Sequence, residues 1–430
     1  MMHELTKMIR GDMVPALGVT EPGSIAFITS KAKSYTKGEV RSVELALSSS
    51  IYKGAFTCGI PGVPEVGNAF AAALGICGAD PDKGLEALDG ITDADREAAH
   101  KLLDEGKVKV ILHEITPDIY LRATVTTDSD VCEVTIKDRH TNVVKIVLNG
   151  DVLFEAGAEE AKDETDSGKV PLEEITKYTL ADLVKYVKTV DLSEIDFIRD
   201  AYTTNLALLE EGMSNPRTTL GHRLIENNGG KIISDDDLAT AQAVTNTTLE
   251  ARVIGLSRPA MSITASGAHG ILCTMPLYGY YKVHGLSEEI LLRATALSYL
   301  VTIYIKVHSG LMSAFCGCAI AAGTGSAVAL CFMKGGTVEQ MGLVINNMAS
   351  SITGMICDGG NKGCAMKGIV AVDIAYRSVD FAMNGAYVDS VHAINGRTPE
   401  ETMRFMGRIA YPGMKETEKT ILEIFEEKIR

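Results

Sequence analysis

The sequence predicts an α+β N-terminal domain followed by an all-helical domain. Between residues 107 and 155, short segments alternate between apolar and polar residues and are separated by turn residues, which is typical of strands. Residues 155–169 are acidic and contain little apolar sequence, as in an exposed linker. Beyond them nearly every segment has a helical pattern. We therefore expect one domain at 1–165 and a second at 166–430.

The first domain is expected to combine helices with an antiparallel sheet. A helical pattern over 3–36 is interrupted by Pro15 and by the turn at 18–23, where Thr20 can cap a new helix that has Pro22 in its first turn. This N-terminal helical segment is expected to reach the second domain. The other predicted elements are a strand at 39–49, helices at 65–77, 81–89 and 92–106, and strands at 107–114, 119–126, 130–137, 143–149 and 151–155.

Capping residues indicate where several helices of the second domain begin. Ser234 precedes three aspartates, Ser287 precedes two glutamates, and Thr337 opens a capping box. The helix that begins after Ser234 is expected to end at Gly255. Several of these helices are apolar nearly all round, so we expect them to be buried.

Composition excludes some classes of partner. The 430 residues carry a net charge of −15 without a Lys/Arg-rich run, which argues against nucleic acid. Nine irregularly spaced cysteines and an N-terminus interrupted by charges favour the reducing cytoplasm. Residues 307–333 lack Asp, Glu, Lys and Arg over a length that could span a bilayer. Their Gly, Ala and Ser content is more typical of a buried helix, so no membrane is expected.

Two close pairs of cysteines point to a metal centre. They are Cys316 with Cys318 and Cys357 with Cys364. Clustered thiolates hold Zn²⁺ or iron–sulfur clusters. Glycines crowd the space between the second pair, where free backbone N–H groups can face an anionic centre. The alternative is that these are buried cysteines acting as small hydrophobic residues, which explains Cys331 well.

The spacing of the pairs favours an iron–sulfur cluster over zinc. Structural zinc sites usually have two to four residues between paired ligands, whereas the pairs here are separated by one and by six. A Cys-x-Cys pair on a helix would point its side chains about 200° apart. We therefore expect one of Cys316 and Cys318 to bind metal together with Cys357 and Cys364. Three thiolates on a cubane leave one iron open to act as a Lewis acid.

Several motifs together resemble a known family. They are Ala16-Leu17-Gly18-Val19-Thr20-Glu21-Pro22, Tyr52-Lys53, Ile60-Pro61-Gly62, His140-Thr141-Asn142, Ser266-Gly267-Ala268-His269-Gly270, the run from His308 to Cys318 and the run from Cys357 to Lys367. This combination resembles the L-cysteine desulfidase family, which is related to iron–sulfur L-serine dehydratase alpha chains. The resemblance implies a 4Fe-4S cluster and elimination without pyridoxal phosphate, converting L-cysteine to pyruvate, ammonia and sulfide.

Two departures from that family bear on the substrate. Val19 stands where the family has a cysteine, and Ala268 stands where an asparagine is usual. An L-serine or L-threonine dehydratase on the same cluster is therefore a second hypothesis. A non-catalytic metal-binding protein is the third.

The candidate catalytic bases are histidines, whose ordinary pKa near 6.5 can be tuned to working pH. They are His269 in its glycine-containing loop, His308 about two helical turns before Cys316, and His140. The resemblance implies substrate contacts at Thr20, Glu21, Asn142 and Ser266. The expected partner is a small amino-acid substrate, and the sequence leaves a homo-oligomer open.

Overall fold

A computed structural model describes residues 3–156, 170–310 and 312–429. The predicted domain boundary near residue 165, and most of the acidic stretch that suggested it, lie outside the described residues. The strands are β1 (Val14–Leu17), β2 (Val40–Ser48), β3 (Val108–Glu114), β4 (Tyr120–Thr127), β5 (Val131–Lys137), β6 (Val143–Leu148), β7 (Asp151–Glu155) and β8 (Pro259–Ser262).

Helices fill the N-terminal third between strands and nearly all of the C-terminal part. The α-helices are α1 (Glu4–Asp12), α2 (Thr20–Ser34), α3 (Ser49–Ala55), α4 (Asn68–Cys77), α5 (Asp93–Asp104), α6 (Leu180–Thr189), α7 (Leu192–Ile195), α8 (Arg199–Ser214), α9 (Thr219–Asn227), α10 (Asp237–Val253), α11 (Gly267–His284), α12 (Glu288–Ser309), α13 (Gly323–Met333), α14 (Val338–Ile352), α15 (Gly363–Met383), α16 (Pro399–Arg408) and α17 (Lys415–Ile429). Short 3₁₀ turns lie at Pro81–Glu86, Leu172–Lys177 and Asp196–Ile198, and π turns lie at Cys318–Ala322 and Ile409–Gly413.

The large sheet has the strand order β3-β2-β4-β5-β6-β7. Each predicted strand in it forms within a residue or two of its expected bounds, because alternating burial matches the two-residue period, as in β4. The prediction of a wholly antiparallel sheet is wrong at one pair, since β2 and β3 run parallel. The helices between them form a crossover that returns the chain in the same direction. Helices α2 and α4 pack on the sheet.

Two helices near the sheet differ from their predicted form. Helix α4 begins at Asn68 rather than at 65, and the helix predicted at 81–89 is a 3₁₀ turn at Pro81–Glu86.

The N-cap residues differ from prediction in two places. Helix α2 begins at Thr20 with Val19 as its N-cap residue, so Thr20 is not the cap. The side chain of Asp236 caps α10, while Ser234 accepts a bond from the Asp236 N–H. The capping box at Thr337 is confirmed. The first correction matters most, because it puts Thr20 and Glu21 in the first turn of a buried helix.

The N-terminal segment is built into the helical part of the molecule. Strand β1 pairs antiparallel with β8, with Val14 opposite Ser262 and Leu17 opposite Pro259. The Thr264 N–H donates to the Asp12 carboxylate over 2.6 Å. Helix α1 contacts α12. The turn between β1 and α2 is therefore held against the start of α11.

Helix α12 lies in the core. Within the described residues it is the one helix long and apolar enough to cross a membrane by length and composition. Yet 83% of its most apolar window is buried inside the protein. That burial is typical of the central helix of a folded helical domain. The uncharged run at 307–333 that the sequence singled out includes the end of α12, the π turn at Cys318–Ala322 and α13.

Candidate active site

A cavity of about 100 Å³ lies between the N-terminal region and the helical part. Its walls come from the start of α2, from α3, from the end of α10, from the start of α11 and from α12. The segment at 312–318, the loop at 357–360 and the start of α15 close it. No single region of the chain could build this cavity alone.

All four paired cysteines line the cavity: Cys316, Cys318, Cys357 and Cys364. The Sγ atoms of Cys316 and Cys318 are 3.3 Å apart. The expectation that their side chains point to opposite sides of a helix is wrong. Cys316 lies before the helical turn, next to the bridge between Phe315 and Ile356, and only Cys318 is within it. Which of the two binds metal stays a prediction.

The loop after Cys357 is pressed against the N-terminal region. The Cys357 N–H donates to the Ala314 carbonyl over 2.7 Å, which joins the segments carrying the two pairs. Gly359 has φ near +93°, and a side chain there would collide with the Lys53 carbonyl. A Cβ on Gly360 would lie 2.9 Å from Val19 Cγ1. These close approaches explain why the sequence has glycines between the second pair of cysteines.

Besides the short helix α3, whose Ser50 lines the cavity, four helical segments begin there. They are α2, α11, the π turn that leads into α13, and α15, and each contributes lining residues from its first turn or its N-cap. The N-terminus of a helix carries a partial positive charge and free N–H groups. Convergence of these ends therefore favours an anionic occupant, such as a substrate carboxylate or a thiolate-ligated cluster.

Basic side chains add to the positive electrostatic potential in the cavity. Arg252, Lys53, Lys306 and Lys367 all line the cavity. The Nε of Arg252 is buried and has no hydrogen-bond partner among the described residues. Burial lowers the pKa of Lys306 to about 8, although the nearby thiols oppose this. Lys306 Nζ lies 5.6 Å from the centre of the Phe315 ring. A Cβ on Gly317 would lie 3.2 Å from Lys306 Nζ.

Two further titratable groups face the cavity. Burial raises the pKa of Glu21, against the lowering effect of its backbone hydrogen bond and of Arg252. Burial also lowers the pKa of His269 well below its ordinary value, and the positive charge of Lys306 acts in the same direction. His269 Nδ1 is 2.6 Å from Thr264 Oγ1. The imidazole is therefore neutral at pH 7 and held at one nitrogen, with Nε2 next to Gly317.

Comparison with known proteins identifies the family. The family model described as the serine dehydratase alpha chain matches residues 82–423, which includes all four cysteines of the cavity. The chain belongs to this family. It is thus a serine dehydratase-like protein and, at that coarse level, a hydro-lyase-like enzyme.

Relatives that match along nearly their whole length are named by a family designation, UPF0597. A UPF0597 protein of Clostridium botulinum strain Okra is 38% identical over 425 residues, covering 98% of each chain. UPF0597 proteins of Caldanaerobacter subterraneus and Clostridium perfringens strain SM101 are 35% and 32% identical. The match to the Caldanaerobacter subterraneus protein covers 99% of this chain and 98% of that protein. The match to the Clostridium perfringens protein covers 99% of both chains. The serine dehydratase-like chain is thus similar to these proteins from end to end.

The residues of the cavity fit the iron–sulfur cluster that the serine dehydratase alpha chain family implies. Four thiols face one cavity among basic groups and helix N-termini, which suits a negatively charged thiolate cluster. Among the described residues, no three His, Cys, Asp or Glu side chains are grouped to hold a single metal ion. A cubane differs from such a site because each thiolate binds a separate iron.

The structure brings four of the other predicted site residues to this cavity. His269, Thr20, Glu21 and Ser266 line it, and so does Val19, which the sequence singled out as a departure from the resembling family. Their roles in catalysis stay predictions. Their shared location is what the motif pattern could not show.

Three predicted residues lie outside the cavity lining. His308 is half-buried with its ring 5.6 Å from that of Tyr304, and burial lowers its pKa. His140 is buried, with its pKa lowered to about 4, and its carbonyl accepts a bond from Ser24. Asn142 donates to the Lys137 carbonyl in the turn between β5 and β6. A catalytic or substrate-binding role for these three stays a prediction, with no contact to the cavity to support it.

Sequence reasoning missed Arg252 and Lys306. One signal was available, since Lys306 is the sole Asp, Glu, Lys or Arg between Arg293 and Lys334. A lysine in such an apolar run has to be buried or to face a cavity, and burying its charge without a partner costs free energy. The sequence around Arg252 has no comparable signal, because a basic residue in the last turn of a helix is common.

Proposed function

We propose that this chain is an iron–sulfur β-eliminating lyase that acts, without pyridoxal phosphate, on a small L-amino acid with a β-hydroxyl group. The observation that carries the proposal is the meeting of four thiols, converging helix N-termini and buried basic groups in one cavity. Cys357, Cys364 and one of Cys316 and Cys318 would hold a 4Fe-4S cluster. Bound there, the cluster would supply a Lewis acid for the departing β-substituent.

Arg252 is suited to bind the substrate carboxylate. A guanidinium group binds a carboxylate through two parallel hydrogen bonds. Its Nε is buried and unpartnered among the described residues, so a ligand that accepts from it would remove a desolvation cost. Ser266 and the first turn of α11 lie in the same cavity.

Lys306 and His269 are suited to handle the α-proton. With a pKa of about 8, Lys306 has a neutral fraction at neutral pH that can accept a proton at Nζ. The neutral His269 can exchange a hydrogen bond at Nε2 while Thr264 holds Nδ1. Removal of the α-proton and loss of the β-hydroxyl would give an aminoacrylate. This product tautomerises to an imine, and water then releases ammonia and a 2-oxo acid.

Val19 weakens the cysteine desulfidase candidate. It lies in the cavity wall and is only 3% exposed, and its side chain can neither give nor take a proton. Cysteine desulfidation, which the motif resemblance favours, remains the second candidate. It lacks at this position the thiol that its family has.

The test is a substrate panel on anaerobically reconstituted protein at known iron content. Incubation with L-serine or L-threonine is expected to give ammonia and the matching 2-oxo acid. Incubation with L-cysteine is expected to give sulfide slowly. Faster release of sulfide from cysteine than of 2-oxo acid from serine or threonine would reverse the order of the two candidates. A lack of any product would favour the non-catalytic metal-binding protein.

Replacing Val19 by cysteine is expected to raise cysteine desulfidase activity by about 10²-fold, the lower range for one placed acid–base group. The change is small in volume, and the new thiol would sit next to the start of α2. Sulfide release at equal iron content measures the effect. Val63→Cys is the matched control, because Val63 is also 3% exposed but does not line the cavity. Equal rates for Val19→Cys and wild type would show that proton transfer is not decided at position 19.

A further inference from the structure

A buried ion pair connects the last helix to the cavity. Lys53 Nζ in α3 lies 2.5 Å from Glu418 Oε2 in α17. Their side chains are only 3% and 8% exposed. Lys53 lines the main cavity, and Glu418 lines a second cavity of about 20 Å³ that shares Met312 and Ser313 with the first. The pair therefore lies in the wall between the two.

The hydrogen bonds of Lys53 leave room for a ligand. A lysine ammonium has three N–H donors. Among the described residues, Glu418 accepts one and the Ser313 carbonyl accepts another over 3.2 Å. The remaining donor belongs to a group that lines the cavity. A substrate carboxylate is an acceptor of the right charge.

Glu418 offsets a cost that the cavity imposes on Lys53. The cavity wall buries the Lys53 ammonium away from water, with its side chain only 3% exposed. A buried cation without a partner is strongly unfavourable. The carboxylate of Glu418 therefore gives the Lys53 ammonium a partner of opposite charge and directs it along one line.

The position of Glu418 depends on how α17 packs. The Phe425 ring in α17 stacks on Phe56, with centroids 4.2 Å apart and planes within 10°. Phe56 immediately follows α3, which carries Lys53. The aromatic contact and the ion pair together fix α17 on α3.

We infer that Glu418 is a positioning residue of the active site, which acts through Lys53 to hold a cation for the substrate carboxylate. This inference rests on the proposed function. It makes the docked C-terminal helix part of the site, although no residue of that helix lines the main cavity.

The first experiment is a double-mutant cycle on turnover. Glu418→Met and Lys53→Met are each expected to lower kcat/KM by about 10- to 100-fold, mainly through KM, as for loss of a charged hydrogen bond. The double variant is expected to equal Lys53→Met, because Glu418 acts through that lysine. Iron content and cluster absorbance should match wild type. Glu423→Met is the control, since Glu423 lies on the exposed face of the same helix.

The second experiment needs no cluster. Thermal unfolding of the iron-free full chain should show each single variant less stable than the double, because a single change leaves one buried charge unpaired. Should Glu418→Met fail to fold, the double variant compared with Lys53→Met still decides the question. Wild-type kcat/KM in Glu418→Met, or a double variant worse than Lys53→Met, would overturn the inference. A wild type without turnover would instead overturn the proposed function, and the unfolding data would then decide whether the pair is coupled.

Discussion

Cys364→Ala is expected to abolish the brown absorbance of anaerobically reconstituted protein, and all turnover with it. Cys364 lies in the first turn of α15, is 8% exposed and lines the cavity with the other three thiols. If the ligands are Cys357, Cys364 and one of Cys316 and Cys318, as proposed, removing Cys364 leaves two thiolate ligands, too few to hold three irons of a cubane. Absorbance and iron per chain measure the effect. Thermal unfolding of the iron-free protein should remain close to wild type, because the change removes one small atom.

Cys331→Ala is the matched control for this substitution. Cys331 is fully buried in α13 and does not line the cavity. It should keep wild-type iron content, with at most a modest loss of stability from the small void. Loss of iron in Cys331→Ala with retention in Cys364→Ala would show that the assignment of ligands is wrong.

Lys306→Met is expected to lower kcat by about 10²–10⁴-fold, the contribution of one placed general base. Methionine keeps most of the apolar stem of lysine but lacks the ammonium group that lies over the Phe315 ring. Iron content should be unchanged, and the stability of the iron-free protein should not fall, because a buried charge is removed. Initial rates with serine or threonine at saturating substrate measure the effect.

Lys334→Met controls for the loss of a lysine that lies over an aromatic ring. Lys334 Nζ is 5.3 Å from the centre of the Tyr280 ring, a contact like that of Lys306, but it does not line the cavity. It should retain wild-type kcat. If Lys306→Met also retained it, His269 would become the leading candidate for the base, and His269→Gln would be the next variant to measure.

The sequence predicted best what depends on local pattern. The strands from β3 to β7 follow from alternating residues and turn residues between them. The thiols of the cavity follow from the chemistry of paired cysteines. The parallel pairing of β2 with β3 could not be read in this way, because it depends on how the intervening helices return the chain.

The basic groups of the cavity show the limit of sequence reasoning. Arg252 lies in the last turn of α10, Lys306 lies in α12 and Lys53 lies in α3, so only tertiary packing brings them together. Tertiary structure also explains why His308 lies outside the cavity lining. Its spacing from Cys316 assumed one continuous helix, whereas α12 ends at Ser309.

The pairing of β1 with β8 has a consequence for biosynthesis. Strand β8 leaves the ribosome long after β1, since more than two hundred residues separate Leu17 from Pro259. At about 5–20 residues per second, the nascent N-terminus waits on the order of ten seconds or more for its partner strand. Until then the start of α2 lacks the side of the cavity that follows β8 in the chain. Cys357 and Cys364 are made later still, so the cavity with all four thiols can form only after both strands of this pair have been synthesised.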